Sequence, residues 1–191
     1  MTQINRDTKE TKIECSIETI NSTGKSNINT GVGFFDHMLE ALSKHSAIDI
    51  DLKCDGDLYI DAHHTVEDCG IVLGKALKDE IFPIQAVERY GNATVVMDEA
   101  AVTCALDLSN RPYLVYEVDV SGKVGNFDVE LAEEFFHAVC KNAGLTVHII
   151  QERGKNKHHI LEAAFKAFAV ALRRALAKNE KLGVPSTKGI L

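Results

Sequence analysis

The sequence lacks the features that would place it in a membrane or outside the cell. No apolar run approaches the roughly 18 residues that a membrane span needs. The amino terminus, MTQINRDTKETK, has no apolar core of the kind a signal peptide carries. We therefore expect a cytoplasmic protein that does not associate with a membrane.

Paired cysteine spacings and an excess of basic residues are also missing. The five cysteines are odd in number and show no CxxC spacing, which argues against a disulfide framework and against a thiolate zinc site. The formal net charge of −7 disfavours nucleic acid as a partner. With 45% hydrophobic and 26% charged residues in 191 positions, the composition is that of one globular domain.

The most informative motif present is a His-His pair followed three residues later by glutamate, and it occurs twice. The two copies are His63-His64-Thr65-Val66-Glu67 and His158-His159-Ile160-Leu161-Glu162. On a helix, each glutamate shares a face with the histidines three and four residues before it. Imidazole and carboxylate are ligands for divalent metals of intermediate hardness, so the motifs predict two metal sites. The alternative is that the adjacent histidines are solvent-facing residues at a helix start.

Adjacent histidines diverge by about 100° around a helix, so one metal cannot easily bind both members of a pair. The simplest arrangement shares each pair between two metals, with neighbouring subunits as one source of ligands. His37 in FFDHML and His137 in EFFHAV each precede a motif and are well placed to help. Three nitrogens and one oxygen per metal, with open octahedral positions and no thiolate, suit Mn²⁺ or Fe²⁺ better than Zn²⁺. For His37 and His137, a capping or core role is the alternative.

A second group of residues is basic and lies in turn-like contexts. Arg89, Arg111 and Lys188 have the chemistry of phosphate ligands, and Lys188 follows Ser186 and Thr187. Taken alone, the pattern is weak, because most surface Arg and Lys side chains bind nothing specific.

The order of predicted elements is the same in both halves, which indicates an internal duplication. We predict strands over 12–20, 48–52, 58–60, 93–97, 101–108, 113–120 and 145–149, and helices over 31–45, 63–82, 128–142 and 158–178. The expected fold is a single α+β domain, 1–191, made of two pseudo-repeats at about 1–88 and 89–191. Each repeat is an antiparallel or mixed sheet with helices packed on one face.

Several segments together resemble the imidazoleglycerol-phosphate dehydratase family of histidine biosynthesis. They are RDTKET, FFDHMLEALSKHS, DAHHTVEDCGIVLGKAL, NRPYLVYE, HHILEAAFKAF and PSTKG, and they run from about Arg6 to Gly189. The resemblance implies a duplicated fold, two Mn²⁺ per active site, active sites between subunits, and trimers that assemble into a 24-subunit shell.

The resemblance also implies roles for individual residues. The implied metal ligands are His37, His63, His64, Glu67, His137, His158, His159 and Glu162. The implied substrate contacts are Glu10, His37, His45, Arg89, Arg111, Lys166, Ser186, Thr187 and Lys188.

The implied reaction is dehydration of D-erythro-imidazoleglycerol phosphate to imidazole acetol phosphate and water. The hydrogen that is lost is not acidified by any carbonyl group, so its direct abstraction would be very slow. Metals on the ring nitrogens would stabilise an imidazolate that expels the hydroxyl group, and the resulting diazafulvene makes the neighbouring proton acidic. Glu10, Glu67 and Glu162 are the candidates for moving that proton.

Two other classes compete with this interpretation. A two-metal phosphate-ester hydrolase would usually have Asp-rich bridging ligands, and neither motif offers a D-x-D cluster. A ferritin-like metal carrier would use Glu-x-x-His on four long helices, which the alternating segments argue against.

Overall fold

The computed structural model describes residues 1–190, which form ten strands and four helices. In the first half these are β1 (Thr2–Asp7), β2 (Thr11–Glu18), β3 (Ser26–Asn29), α1 (Gly33–Ser46), β4 (Asp49–Gly56) and α2 (His63–Ile81). In the second half they are β5 (Tyr90–Met97), β6 (Ala100–Asp107), β7 (Tyr113–Glu117), β8 (Lys123–Val124), β9 (Phe127–Asp128), α3 (Leu131–Ala143), β10 (Thr146–Arg153) and α4 (Lys157–Ala175).

Each half contains a four-stranded mixed sheet, and the two sheets have the same topology. The strand orders are β1-β2-β4-β3 and β5-β6-β10-β7. In both, the first three strands pair antiparallel and the last edge strand pairs parallel with its neighbour. The duplicated α+β architecture is therefore confirmed, and the boundary near residue 88 stays a prediction.

Helices cover one face of each sheet because strand residues alternate between apolar and polar. In β2, Ile13, Cys15 and Ile17 are buried whereas Lys12 and Glu14 are exposed. The helices of the two halves then pack on each other, α1 against α4 and α2 against α3. The duplicated chain thus buries both helical layers between two sheets.

The contact between α2 and α3 depends on two glycines. A Cβ atom at Gly70 would lie 2.8 Å from the Cβ of Ala138 and 2.9 Å from the carbonyl oxygen of Phe135. One turn further on, a Cβ atom at Gly74 would lie 2.8 Å from the carbonyl oxygen of Val139. All three distances are too short for a real Cβ atom, so only glycine allows the two helices to approach this closely.

Fully buried phenylalanines fill the space between the helices, and the rings of Phe136 and Phe165 lie 4.7 Å apart between centroids. Burying such a side chain stabilises the fold by about 1.5–3 kcal/mol. No helix within residues 1–190 is long and apolar enough to cross a membrane.

Two local predictions were wrong, and two edge strands were not predicted. The segment 58–60 is a turn rather than a strand, and Asp128 lies in β9 instead of capping α3, which begins at Leu131. The edge strands β1 and β3 were missed because their side chains are mostly polar or exposed.

Candidate active site

Three predicted metal ligands meet where α1 packs against the start of α4. The donor atoms of His37, His158 and Glu162 all lie within 4.8 Å of one another. The Nε2 atoms of His37 and His158 are 3.6 Å and 3.1 Å from Glu162 Oε2. We call this group the His37–His158–Glu162 cluster. Its two imidazoles and one carboxylate are the mixed donor set expected for Mn²⁺ or Fe²⁺.

The cluster is positioned by the first turns of α4. Asn156 precedes the helix, and its side-chain oxygen accepts a hydrogen bond from the backbone N–H of His158. Glu162 follows His158 by one helical turn, which places both side chains on one face. His37 comes from α1, and the ring of Phe34, one turn earlier on that helix, packs edge-on against His158 at 5.1 Å between centroids.

Glu162 is buried, with 6% of its surface exposed, and it has a cationic neighbour. Lys166 Nζ lies 2.6 Å from Glu162 Oε1. Burial opposes ionisation of Glu162. The hydrogen bond from Lys166 and the other nearby charges together outweigh the effect of burial, so the pKa of Glu162 is lowered. Glu162 is therefore an anion at neutral pH.

The pKa of His45 is also lowered, first by burial and then by the charges of Lys166 and Arg173.

The first HHxxE motif forms a looser group. His63 Nε2 lies 3.7 Å from Glu67 Oε2, and both side chains are about half exposed. His137, on α3, is exposed, and within residues 1–190 no hydrogen bond or ion pair joins it to these two side chains. Its role as a metal ligand stays a prediction.

The second histidine of each pair points in another direction. The ring planes of His63 and His64 are inclined by 87°, and those of His158 and His159 by 79°. His64 Nδ1 lies 2.9 Å from Asp57 Oδ2, and His159 Nδ1 lies 2.8 Å from Glu99 Oε2. Within one chain, the two members of each pair therefore contact different carboxylates.

These carboxylates change the protonation of their histidines. The hydrogen bond to Asp57 raises the pKa of His64, and the one to Glu99 raises the pKa of His159. The pKa of Glu99 falls to about 2, because it accepts hydrogen bonds from His159 and from the backbone N–H groups of Asn156 and Lys155.

The predicted phosphate ligands lie together in a separate cavity of about 890 Å³. The predicted residues that line it are Arg89, Arg111, Ser186, Thr187 and Lys188. Arg111 is exposed at the surface.

Arg89 differs from the other predicted phosphate ligands because it is buried, and much of its hydrogen-bonding capacity is used within the chain. Its Nε and Nη2 atoms donate to Asp107 at 2.7 Å and 3.1 Å, and Nη1 donates to the carbonyl oxygen of Pro185 at 2.7 Å. The hydrogen bond to Asp107 also raises the pKa of Arg89. Arg89 thus holds the carboxyl-terminal segment that carries Ser186 and Lys188.

The cavity and the His37–His158–Glu162 cluster lie toward opposite ends of α4. The backbone N–H of Arg89 donates to the carbonyl oxygen of Ala175 at 2.9 Å, at the last turn of the helix. Glu162 lies in its second turn. At about 1.5 Å of rise per residue, the two positions are about 20 Å apart along the axis.

Comparison with known proteins identifies the family to which this sequence belongs. The sequence model of imidazoleglycerol-phosphate dehydratase matches residues 30–172, three quarters of the chain. The chain belongs to this family.

Relatives in the imidazoleglycerol-phosphate dehydratase family match over the full length. The protein of that name from Aliarcobacter butzleri is 82% identical, and that from Campylobacter fetus is 63% identical, each over 100% of both chains. The crystal structure of the dehydratase from Staphylococcus aureus aligns with a TM-score of 0.84 and 43% identity, covering 93% of this chain and 98% of that one. The structure from Pyrococcus furiosus in complex with (S)-C348 aligns at 0.85 and 39%, covering 98% and 100%. The family name describes a hydro-lyase.

Three functional candidates escaped the sequence analysis of this dehydratase-family chain. Asp57, Glu99 and Asp107 are all polar partners of predicted site residues. Each lies on a different element from its partner, at sequence separations of 7, 60 and 18 residues. No fixed spacing marks such pairs, so only the three-dimensional structure identifies them.

Proposed function

We propose that this chain is a Mn²⁺-dependent dehydratase that converts D-erythro-imidazoleglycerol phosphate to imidazole acetol phosphate and water in L-histidine biosynthesis. Its five free cysteines fit a reducing compartment, so the proposed location is the cytoplasm. The observation that carries the proposal is the His37–His158–Glu162 cluster, in a chain of this family.

The donor set of the cluster fits a divalent metal that prefers octahedral nitrogen and oxygen ligands. His37 and His158 would supply two nitrogens and Glu162 one oxygen, which leaves room for one more imidazole and for substrate. His63, Glu67 and His137 would form the second group, as the duplication implies. Bound Mn²⁺ would act as a Lewis acid and would orient the imidazole ring of the substrate.

The chain's own residues would hold and move the proton. Glu162 is kept ionised by Lys166 at 2.6 Å, so it is ready to accept a proton from the substrate. Glu10 is a second candidate. Its Oε1 lies 3.8 Å from His64 Nε2, and the Glu10 side chain is 55% exposed. Glu67 is the third. The ring-assisted route described above requires only one of these carboxylates as the base.

The separation along α4 supports an active site shared between copies of the chain. A three-carbon chain with bonds of about 1.5 Å spans only a few ångströms between ring and phosphate. One substrate molecule therefore cannot reach both Glu162 and the cavity at Arg89 in a single chain. His64 and His159, which point away from their own motifs, would then complete metal sites in neighbouring copies. Trimers that assemble into a 24-subunit shell would provide such contacts.

The test is an assay of the Mn²⁺-loaded protein on imidazoleglycerol phosphate that measures the ketone product and free phosphate in parallel. We expect the ketone and no phosphate, with turnover lost on exhaustive chelation and restored by Mn²⁺. Phosphate release would favour the two-metal hydrolase. Undiminished turnover after chelation would refute the metal proposal. The two four-stranded sheets already exclude the all-helical bundle of a ferritin-like carrier.

A further inference from the structure

Two carboxylates outside the predicted ligand set contact the HHxxE motifs in the same way. Asp57 Oδ2 lies 2.9 Å from Nδ1 of His64, and Glu99 Oε2 lies 2.8 Å from Nδ1 of His159. These are the second histidines of the two pairs, so the contact occurs once in each half. Neither carboxylate belongs to an HHxxE motif.

We propose that Asp57 and Glu99 are positioning residues that fix His64 and His159 with the proton on Nδ1 and present Nε2 as the metal-binding nitrogen. An ionised carboxylate can only accept a hydrogen bond, so Nδ1 must carry the hydrogen. In the neutral ring, Nε2 then has an available lone pair. The proposal rests on the metal-dependent function proposed above.

The environment of each Nε2 atom fits this assignment. The nearest carboxylate oxygens, on Glu10 and Asp98, lie 3.8 Å from Nε2 of His64 and His159 respectively. That distance exceeds a hydrogen bond. Within residues 1–190, no hydrogen bond is made by either Nε2 atom, whereas both Nδ1 atoms are bonded.

The two carboxylates are themselves held in place. Asp57 is 9% exposed, and its backbone N–H donates to the carbonyl oxygen of Glu10 at 3.0 Å. Glu99 Oε1 accepts from the backbone N–H groups of Lys155 and Asn156 at 3.1 Å and 2.8 Å. Glu99 therefore ties the β5–β6 turn to the start of α4. A ring fixed by such an anchored carboxylate keeps both its tautomer and its orientation.

The first measurement is the tautomer, which needs no metal. Metal-free protein labelled with ¹⁵N-histidine is examined by solid-state NMR, at a pH well above the raised pKa of both rings. We expect two rings protonated on Nδ1, one lost in Asp57→Ala and the other in Glu99→Ala. Asp49→Asn is the matched control, because Asp49 also accepts two backbone N–H groups, from Thr23 and Lys25, away from the motifs. Both rings protonated on Nε2 in the unaltered protein would overturn the proposal.

The second measurement is Mn²⁺ affinity, by competition with a chelator. Loss of a carboxylate that is hydrogen-bonded to a metal-binding histidine typically weakens metal binding 10–100-fold. We expect a loss of that size in Asp57→Ala and in Glu99→Ala, and none in Asp49→Asn. Unchanged affinity in both variants would overturn the positioning role. If Asp57→Ala fails to fold, Glu99→Ala decides the matter, since Glu99 lies on an exposed turn. Failure of the unaltered protein to bind Mn²⁺ would refute the proposed function, and the tautomer result would still decide the histidine assignment.

Discussion

Lys166 Nζ lies 2.6 Å from Glu162 Oε1, and Lys166 follows Glu162 by one turn of α4. Glu162 is the carboxylate of the His37–His158–Glu162 cluster. Without Lys166, burial would act to raise the pKa of Glu162. The lysine thus keeps an anion available in a position where burial favours the neutral acid.

Replacing Lys166 with methionine should raise the pKa of Glu162, because the ammonium group that favours the carboxylate is removed. When the pKa of a catalytic base is higher, acidification protonates the base at a higher pH, and the enzyme loses activity there. We expect the acidic limb of the kcat/KM profile to shift toward neutral pH, with activity at the optimum reduced. The profile is measured for the Mn²⁺-loaded protein, and Lys166→Arg, which keeps the charge, is the control. An acidic limb that does not move in Lys166→Met would contradict the role assigned to Lys166.

The α2–α3 contact makes Gly70 sensitive to substitution. Gly70→Ala places a methyl group 2.8 Å from Ala138 Cβ, and we expect the free energy of unfolding to fall by about 1–3 kcal/mol. Gly33→Ala is the matched helix control, since nothing lies within 4 Å of the added atom. Denaturant unfolding measures both. Equal stability of the two variants would show that the helices can separate without cost.

Arg111 and Arg89 should respond differently to truncation, although both line the cavity. Arg111→Ala removes an exposed side chain that we propose as a phosphate ligand, so we expect KM to rise at least tenfold with the melting temperature unchanged. Arg89→Ala also breaks the bonds to Asp107 and Pro185, so we expect lower thermal stability as well. Steady-state kinetics and thermal unfolding separate the two effects. A loss of stability in Arg111→Ala as large as that in Arg89→Ala would contradict this division.

The Glu99–His159 hydrogen bond should make stability depend on pH at both ends. The pKa of Glu99 is about 2 in the folded protein against an ordinary 4.5, so its contribution is present above pH 4.5 and lost as pH falls toward 2. The pKa of His159 is raised above 6.5, so its contribution is complete below 6.5 and lost as pH rises through the folded value. We expect Glu99→Gln to flatten both limbs. Unfolding measured across this pH range in metal-free protein checks the sign, and Asp49→Asn serves as the reference.

Residues with strong local patterns could be predicted from the sequence. The alternation at Ile13, Cys15 and Ile17 predicts β2, and the HHxxE spacing predicts that His158 and Glu162 share a helix face. Turn-like residues far apart in the chain, such as Arg111 and Lys188, also meet as expected. Local patterns are sufficient for the strand and for the helix face, whereas the assignment of the two basic residues also depends on the family resemblance.

Other features depend on contacts that leave no periodic signal. The polar edge strand β3 is held by parallel pairing with β4, and its own side chains do not predict it. Arg89 has the chemistry of a phosphate ligand, but its bidentate pairing with Asp107 appears only in the three-dimensional structure. The missed parts of the site are therefore partners of the predicted residues, contributed by other elements.

The distance of about 20 Å along α4 has a consequence for mixtures of variants. Copies carrying Glu162→Gln keep the cavity, and copies carrying Arg111→Ala keep the carboxylate, so each supplies what the other lacks. Mixed after dissociation and reassembled, the two impaired preparations should regain a fraction of the wild-type turnover that each has lost. Such complementation cannot occur where one polypeptide encloses the whole reaction centre.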